Sequence, residues 1–167
     1  IASDATQAAG EQASYERAYA ENEVQISLVN HLKKYIQNET SQYDVIPANI
    51  GLNNNDLNTV VERYNEMLIE RKRLLRTSHE DNPAVQSLNA SIDVMRNSVM
   101  AAIQTAEKGL LINRQALQAQ TRKFAGKVSD APVQEKEYLS MSRQQEIQAN
   151  LYLMLLQKRE ENNITLA

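Results

Sequence analysis

The sequence predicts an all-α protein, with long antiparallel helices forming a coiled-coil hairpin or bundle. Three observations lead there. Only 4 Gly and 3 Pro punctuate 167 residues, and they sit mainly at the joints between periodic segments. Ala, Gln, Glu, Leu, Asn and Arg dominate, and most of these side chains lose little rotamer freedom in a helix. Apolar residues recur at three-four spacing over stretches longer than an ordinary helix. Aromatic content is 5%, with one Phe and no Trp, so the apolar surface reads as a seam and not as a thick core. Residues 1–167 are expected to form a single helical region.

The first helix is predicted at about 3–39. Its stripe of Tyr15, Tyr19, Ile26, Val29 and Ile36 is interrupted by Asn22 and Lys33. A loop at 40–55 follows, holding Pro47, Gly51 and Asn53-Asn54-Asn55, a cluster of turn formers. Within it Val45, Ile46, Ile50 and Leu52 are apolar, so part of the loop is expected to pack on a helix. The second helix, 56–79, carries Leu57, Val60, Val61, Tyr64, Met67, Leu68, Leu74 and Leu75 on one stripe. Glu62, Arg63, Glu66, Glu70, Arg71 and Arg73 make up much of its charged remainder. Asn82-Pro83 then reads as an N-cap followed by a first-turn proline.

The third helix, 83–127, is the longest. Val85, Leu88, Ile92, Met95 and Val99 alternate by three and four, and Ile103, Leu110, Leu117 and Phe124 continue by sevens. At 1.5 Å per residue it spans roughly 65 Å, and the sustained heptad predicts a coiled-coil seam. Gly126 and Ser129-Asp130-Ala131-Pro132 predict a reversal. The fourth helix, 133–165, carries Tyr138, Met141, Tyr152, Leu155 and Leu156, with Gln145 and Gln148 as polar seam positions. A short connection predicts that the third and fourth helices are antiparallel. Ile92, Val99, Ile103, Leu110 and Leu117 are then expected to pack on the fourth helix.

Composition narrows the function classes. A net charge of −3, from 18 basic and 21 acidic residues, supports neither nucleic-acid nor headgroup binding. Absence of cysteine removes disulfides and thiolate metal sites. The most apolar run, Leu151 to Leu156, is far short of the ~20 residues of a spanning helix. The chain opens Ile1-Ala2-Ser3 without an initiator Met, and is read as an excised soluble region, with any membrane anchors expected outside it.

A search for chemistry finds little. His31 and His79 each lack a second histidine four residues away, so neither forms a zinc motif. Glu80, Asp81 and Asn82 have neither the spacing nor the glycine of a calcium loop and read as turn residues. No glycine-rich loop follows a strand, and Ser140 and Ser142 have no base nearby. The expectation is a non-enzymatic segment with no catalytic, cofactor-binding or metal-ligating residues.

The fourth helix carries a longer pattern. Pro132-Val133-Gln134-Glu135-Lys136-Glu137, Leu139, Arg143, Tyr152-Leu153-Met154-Leu155-Leu156-Gln157-Lys158-Arg159-Glu160-Glu161, Ile164 and Ala167 resemble the last periplasmic helix of polysaccharide co-polymerases fused to bacterial tyrosine kinases. Val45 to Leu52, Tyr64-Asn65-Glu66, Glu70 to Leu75 and Asn82-Pro83 look like the Bacteroidetes branch of that capsular and exopolysaccharide chain-length determinant family. The resemblance spans most of 45–167, and the residues before Tyr15 match nothing in it.

That resemblance implies the periplasmic region of an inner-membrane protein acting in polysaccharide biosynthesis, chain-length control or export. In the family, two membrane helices flank an α/β base with a helical extension, and a cytoplasmic kinase with Walker motifs follows. The membrane helices, the base and the Walker motifs are missing from this sequence, so tyrosine-kinase activity, with its ATP and Mg, belongs to the parent protein. The implied partners are further copies of itself and the polymerase or export machinery, with membrane contact only through the anchors. The implied mode of action is a ring or bell of protomers. Residues matching the family pattern, and therefore candidates for assembly contacts, are Glu135, Glu137, Arg143, Tyr152, Lys158, Glu160 and Glu161. Two other classes fit long helices: a periplasmic adaptor hairpin of an efflux or secretion system, and a generic structural coiled coil.

Overall fold

A computed structural model describes residues 2–47, 49–129 and 133–166, with side chains described except at 2, 127–129, 133–136 and 163–166. The protein is all-α. Four helices of 36, 20, 47 and 34 residues follow one another: α1 Ala2–Gln37, α2 Asn55–Leu74, α3 Pro83–Ser129 and α4 Val133–Leu166. Asp130, Ala131 and Pro132, part of the expected reversal, lie outside the described residues. The helices group into two compact units, one made of Ile1–Ile26 with Gly109–Ala167 and one of Ser27–Lys108. They are called here the α4 unit and the loop unit.

The loop unit is built on aliphatic burial. Val29, Leu32 and Ile36 of α1, Leu57, Val61, Tyr64 and Leu68 of α2, and Val85, Ile92, Val99 and Ile103 of α3 are buried. Each such aliphatic side chain contributes about 1.5–3 kcal/mol by leaving water. The helices α1 and α3 run antiparallel in this unit: Lys33 Nζ donates to Glu107 Oε2 at 2.9 Å, and three residues after Lys33 on α1, Arg96 donates to the Ile36 carbonyl. That guanidinium meets one of the carbonyls a helix C-terminus leaves unpaired.

The loop is folded down as expected, with Ile46 and Leu52 buried. Asn65 holds it by both ends of its amide: the Ile46 N–H donates to Oδ1 at 2.9 Å, and Nδ2 donates to the Ile46 carbonyl at 2.8 Å. The Tyr64 hydroxyl donates to the Gln42 carbonyl at 3.0 Å. Two left-handed residues, Asn49 at φ 57° and Gly51 at φ 88°, turn the chain toward α2, and both are types that tolerate that region. Asn54 caps α2, its side chain accepting from Leu57 N at 2.9 Å.

The second helix stops at Leu74, short of the expected 79. Beyond it lies a polar run in which the Thr77 hydroxyl competes for the Leu74 carbonyl, as turn-forming side chains do. Pro83 opens α3 as expected, with Asn82 Oδ1 accepting from Ala84 N at 2.9 Å. Arg71 departs from expectation. It stands 8% exposed, donating to Asn89 Oδ1 at 2.7 Å and Glu80 Oε1 at 3.0 Å. Its guanidinium carbon lies 3.6 Å from the centre of the Tyr43 ring. A spacing-based stripe treats every arginine as solvated, whereas this fork finds partners for both edges and a π face for its plane.

In the α4 unit the buried apolar residues of α1 are mostly small: Ala5, Ala8, Ala9 and Ala13, with Ile26 beyond them. Phe124 of α3 is buried and stacks on Tyr15 with ring centres 5.5 Å apart. Asn22, 4% exposed, donates to the Leu110 carbonyl at 3.0 Å and accepts from Asn113 Nδ2 at 2.9 Å. Gln118 reaches the Tyr19 hydroxyl at 3.3 Å. These contacts also run antiparallel, since rising numbers on α1 meet falling numbers on α3.

Candidate interaction surface on the fourth helix

Glu, Gln, Leu, Lys and Arg fill α4, which has no Gly or Pro within it, so propensity alone supports an unbroken helix. One face seats it on α1. Arg143 Nε lies 2.9 Å from Glu16 Oε2, without the angle of a hydrogen bond, since that buried nitrogen has no hydrogen-bond acceptor among the described residues. Arg17 donates to Glu146. Further along, Ala20 and Glu21 line the same groove as Asn150, Leu151 and Met154. Rising numbers on α1 thus meet rising numbers on α4. The two are parallel, and because α3 opposes α1, α3 and α4 are antiparallel within this unit.

Of the α3 stripe expected to pack on the fourth helix, Ile92, Val99 and Ile103 are buried and Leu110 and Leu117 half-buried. The polar contacts seen from α4 run to α1. A heptad stripe says that a helix has a partner, and cannot say which of several similar helices that partner is.

A second face of α4 is turned outward. Tyr138 is 73% exposed and Tyr152 66%, and Met141, Leu153 and Leu155 are also exposed. Gln145 and Gln148, between them, are exposed too. At 3.6 residues per turn this outward stripe lies about a third of a turn from the Arg143–Ile147–Leu151–Met154 face. Single exposed apolar residues are ordinary, whereas these recur at heptad spacing along one face, on either side of Gln145 and Gln148.

The candidate residues drawn from the family pattern are all on α4 but do not converge. Arg143 is used inside the chain, against Glu16. Lys158 pairs with Glu161 one turn on at 3.4 Å, and Glu160 with its neighbour Arg159 at 3.8 Å. Glu137 and Tyr152 are exposed, and the Glu135 side chain lies outside the described residues. Exposed ion pairs of this kind are worth ~0–1 kcal/mol. Glu16, Arg17 and Glu146, which receive or oppose charge across the α1–α4 seam, escape a reading by apolar spacing, because a charged seam residue is indistinguishable in sequence from a solvated one. His31 and His79 are both exposed, and the described residues contain no group of three His, Cys, Asp or Glu able to hold a metal ion. No described helix is long and apolar enough to cross a membrane. No protein-family model, curated protein or solved structure matches the chain.

Proposed function

We propose that this chain is the extracytoplasmic helical region of a membrane-anchored polysaccharide co-polymerase, acting by assembling with copies of itself and not by chemistry of its own. The observation that carries the assembly part is the outward stripe of α4: the helix is already seated on α1 by one face and keeps a second apolar face exposed. The polysaccharide part is carried by the family pattern along the same helix, from Pro132 to Glu161. Chain-length control then works through the number and arrangement of helices presented to the polymerase, and the parent's kinase domain receives structural input.

The test belongs in cells carrying the full-length parent. Tyr152→Glu with Leu155→Glu alters the outward stripe and spares the α1 seam, which Arg143→Glu would damage. The expected result is a shift in polysaccharide length or amount on gels at unchanged protein level. A wild-type glycan profile overturns the reading, and a defect in drug efflux in its place points to the adaptor-hairpin class.

A further inference from the structure

A face that meets only itself closes after two copies, whereas a ring joins two different faces of each protomer. The outward stripe of α4 is therefore one half of a ring contact. Upright neighbours meet at the same height, which places the other half on the same unit. Among the described residues, the large hydrophobic side chains of that unit exposed away from α4 are Leu111 and Ile112, at 37% and 69%, and both are on α3. Gly109, Ile112, Ala116, Ala119 and Lys123 follow one another by three, four, three and four residues, and all are exposed. We infer that this Ile112 face of α3 receives the outward stripe of α4 from the neighbouring copy of the chain.

The two faces point away from each other, as a ring requires. On α1, Tyr15, Tyr19, Asn22 and Glu23 meet α3, and Glu16, Arg17, Ala20 and Glu21 meet α4. At about 100° per residue the two sets are centred roughly 145° apart around α1. The first helix thus lies between the other two. On α3 the Ile112 face is about a third of a turn from Leu110, Leu117 and Phe124, which are buried or half-buried. One copy accordingly offers an α4 face on one side and an α3 face on the other.

Orientation follows from the fold. Copies anchored in one membrane stand the same way up, and α3 and α4 of one chain are antiparallel. Each α4 then meets the neighbour's α3 antiparallel, with neither molecule inverted. Shape and charge agree with that pairing. Tyr138, Met141, Tyr152 and Leu155 are bulky, while Ala116 and Ala119 beside Ile112 leave room for them. Between Gly109 and Gly126 the exposed charges of α3 are Arg122 and Lys123, with no carboxylate in that stretch. On α4 from Glu137 to Asn162 they are Glu137, Glu146 and Glu160 against Arg159. Faces of opposite net sign attract, and two α4 faces of the same sign repel. This inference rests on the ring assembly of the function proposed above and adds which two faces meet.

The test uses cells carrying two differently tagged copies of the full-length parent. This region has no cysteine of its own, and the parent without an introduced cysteine is the blank. Ile112→Cys in one copy is combined in turn with Gln145→Cys, Tyr152→Cys or Arg159→Cys in the other. All four sites are exposed, and the last three are one heptad apart. Membranes are then treated with a flexible bismaleimide. The expected result is a heterodimer in at least one combination, at least tenfold above the homodimer of either variant. Homodimers as abundant as the heterodimer mean that each face meets itself, and overturn the inference. So does the absence of a heterodimer in all three combinations. Ala116→Glu, next to Ile112 on the exposed face, is expected to lower the heterodimer at least tenfold while circular dichroism of the 167-residue chain stays unchanged. Undiminished cross-linking in that variant also overturns the inference. Glycan profiles separate the two failures. No heterodimer, with a glycan shift still produced by Tyr152→Glu and Leu155→Glu, removes the α3 face alone. No heterodimer with wild-type glycans removes the proposed function as well.

Discussion

The loop unit buries most of its large apolar residues, Tyr43, Val45, Ile69 and Val94 apart, and the α4 unit leaves more of its own outside. Ile46, Leu57, Ile92, Ile103, Val29, Val85 and Val99 are the largest fully buried side chains, and all fall in the loop unit. In the α4 unit the buried set is rich in alanine, with Gln12, Asn22 and Gln25 among the buried polar residues. An alanine methyl returns ~0.8 kcal/mol on burial, against about 1.5–3 for Leu or Ile. The loop unit therefore contains its own driving force. In the α4 unit Ile112, Tyr138, Met141, Tyr152, Leu153 and Leu155 remain exposed, and that apolar area is available to a partner. Similar helical composition thus forms an aliphatic core in one region and leaves an exposed apolar face in the other.

The largest effect that would break this contrast is a cavity. Ile103→Ala in the loop unit is expected to cost about 2–5 kcal/mol, because a fully buried side chain leaves a space the core cannot close. Leu117→Ala, half-buried in the α4 unit, is expected to cost less than ~2 kcal/mol. Urea unfolding monitored by circular dichroism compares the two, and equal losses would erase the distinction.

Buried polar residues sharpen it at a smaller scale. Arg71→Lys keeps the charge but loses the fork that joins Asn89 and Glu80 and the plane that lies on Tyr43. The expected loss is about 1–3 kcal/mol. A Lys variant with a wild-type unfolding midpoint would mean that Arg71 is held in place without contributing to the fold.

The smallest expected effect is on alkaline stability, and it belongs to the loop unit. Burial pushes the Tyr64 phenol above its ordinary value of 10.0, with Asp93 adding to the shift and Arg96 opposing it. Tyr35 is raised as well, by burial and by Asp44. A raised folded value means the native state keeps a proton that the unfolded chain releases sooner. This contribution is intact below about pH 10 and is lost as the pH climbs through the folded value. Between pH 9 and 11 the melting temperature of the wild type is expected to fall more steeply than that of Tyr64→Phe. Parallel curves would contradict it.

Much of this was legible in the sequence. Four helices, the loop at 40–55 and the Asn82-Pro83 start follow from propensity, turn formers and capping, all of which act between near neighbours in the chain. Apolar spacing also identified Val85, Ile92, Val99 and Ile103 as a buried stripe. Arg71 was illegible, because its burial depends on Tyr43, Asn89 and Glu80 arriving from three other segments.

What the sequence alone determined is the set of helices and the stripes each one carries. What only the tertiary structure decided is which stripe meets which neighbour. The fourth helix shows why. Its Arg143–Met154 face and its Tyr138–Leu155 face both repeat at helical spacing, and nothing local prefers one for burial. The choice falls to groups far away in the chain, the carboxylate of Glu16 opposite Arg143 and the guanidinium of Arg17 opposite Glu146. Hydrophobic burial rewards area without regard to direction, so specific polar partners across the seam select the inward face, and the other face stays exposed.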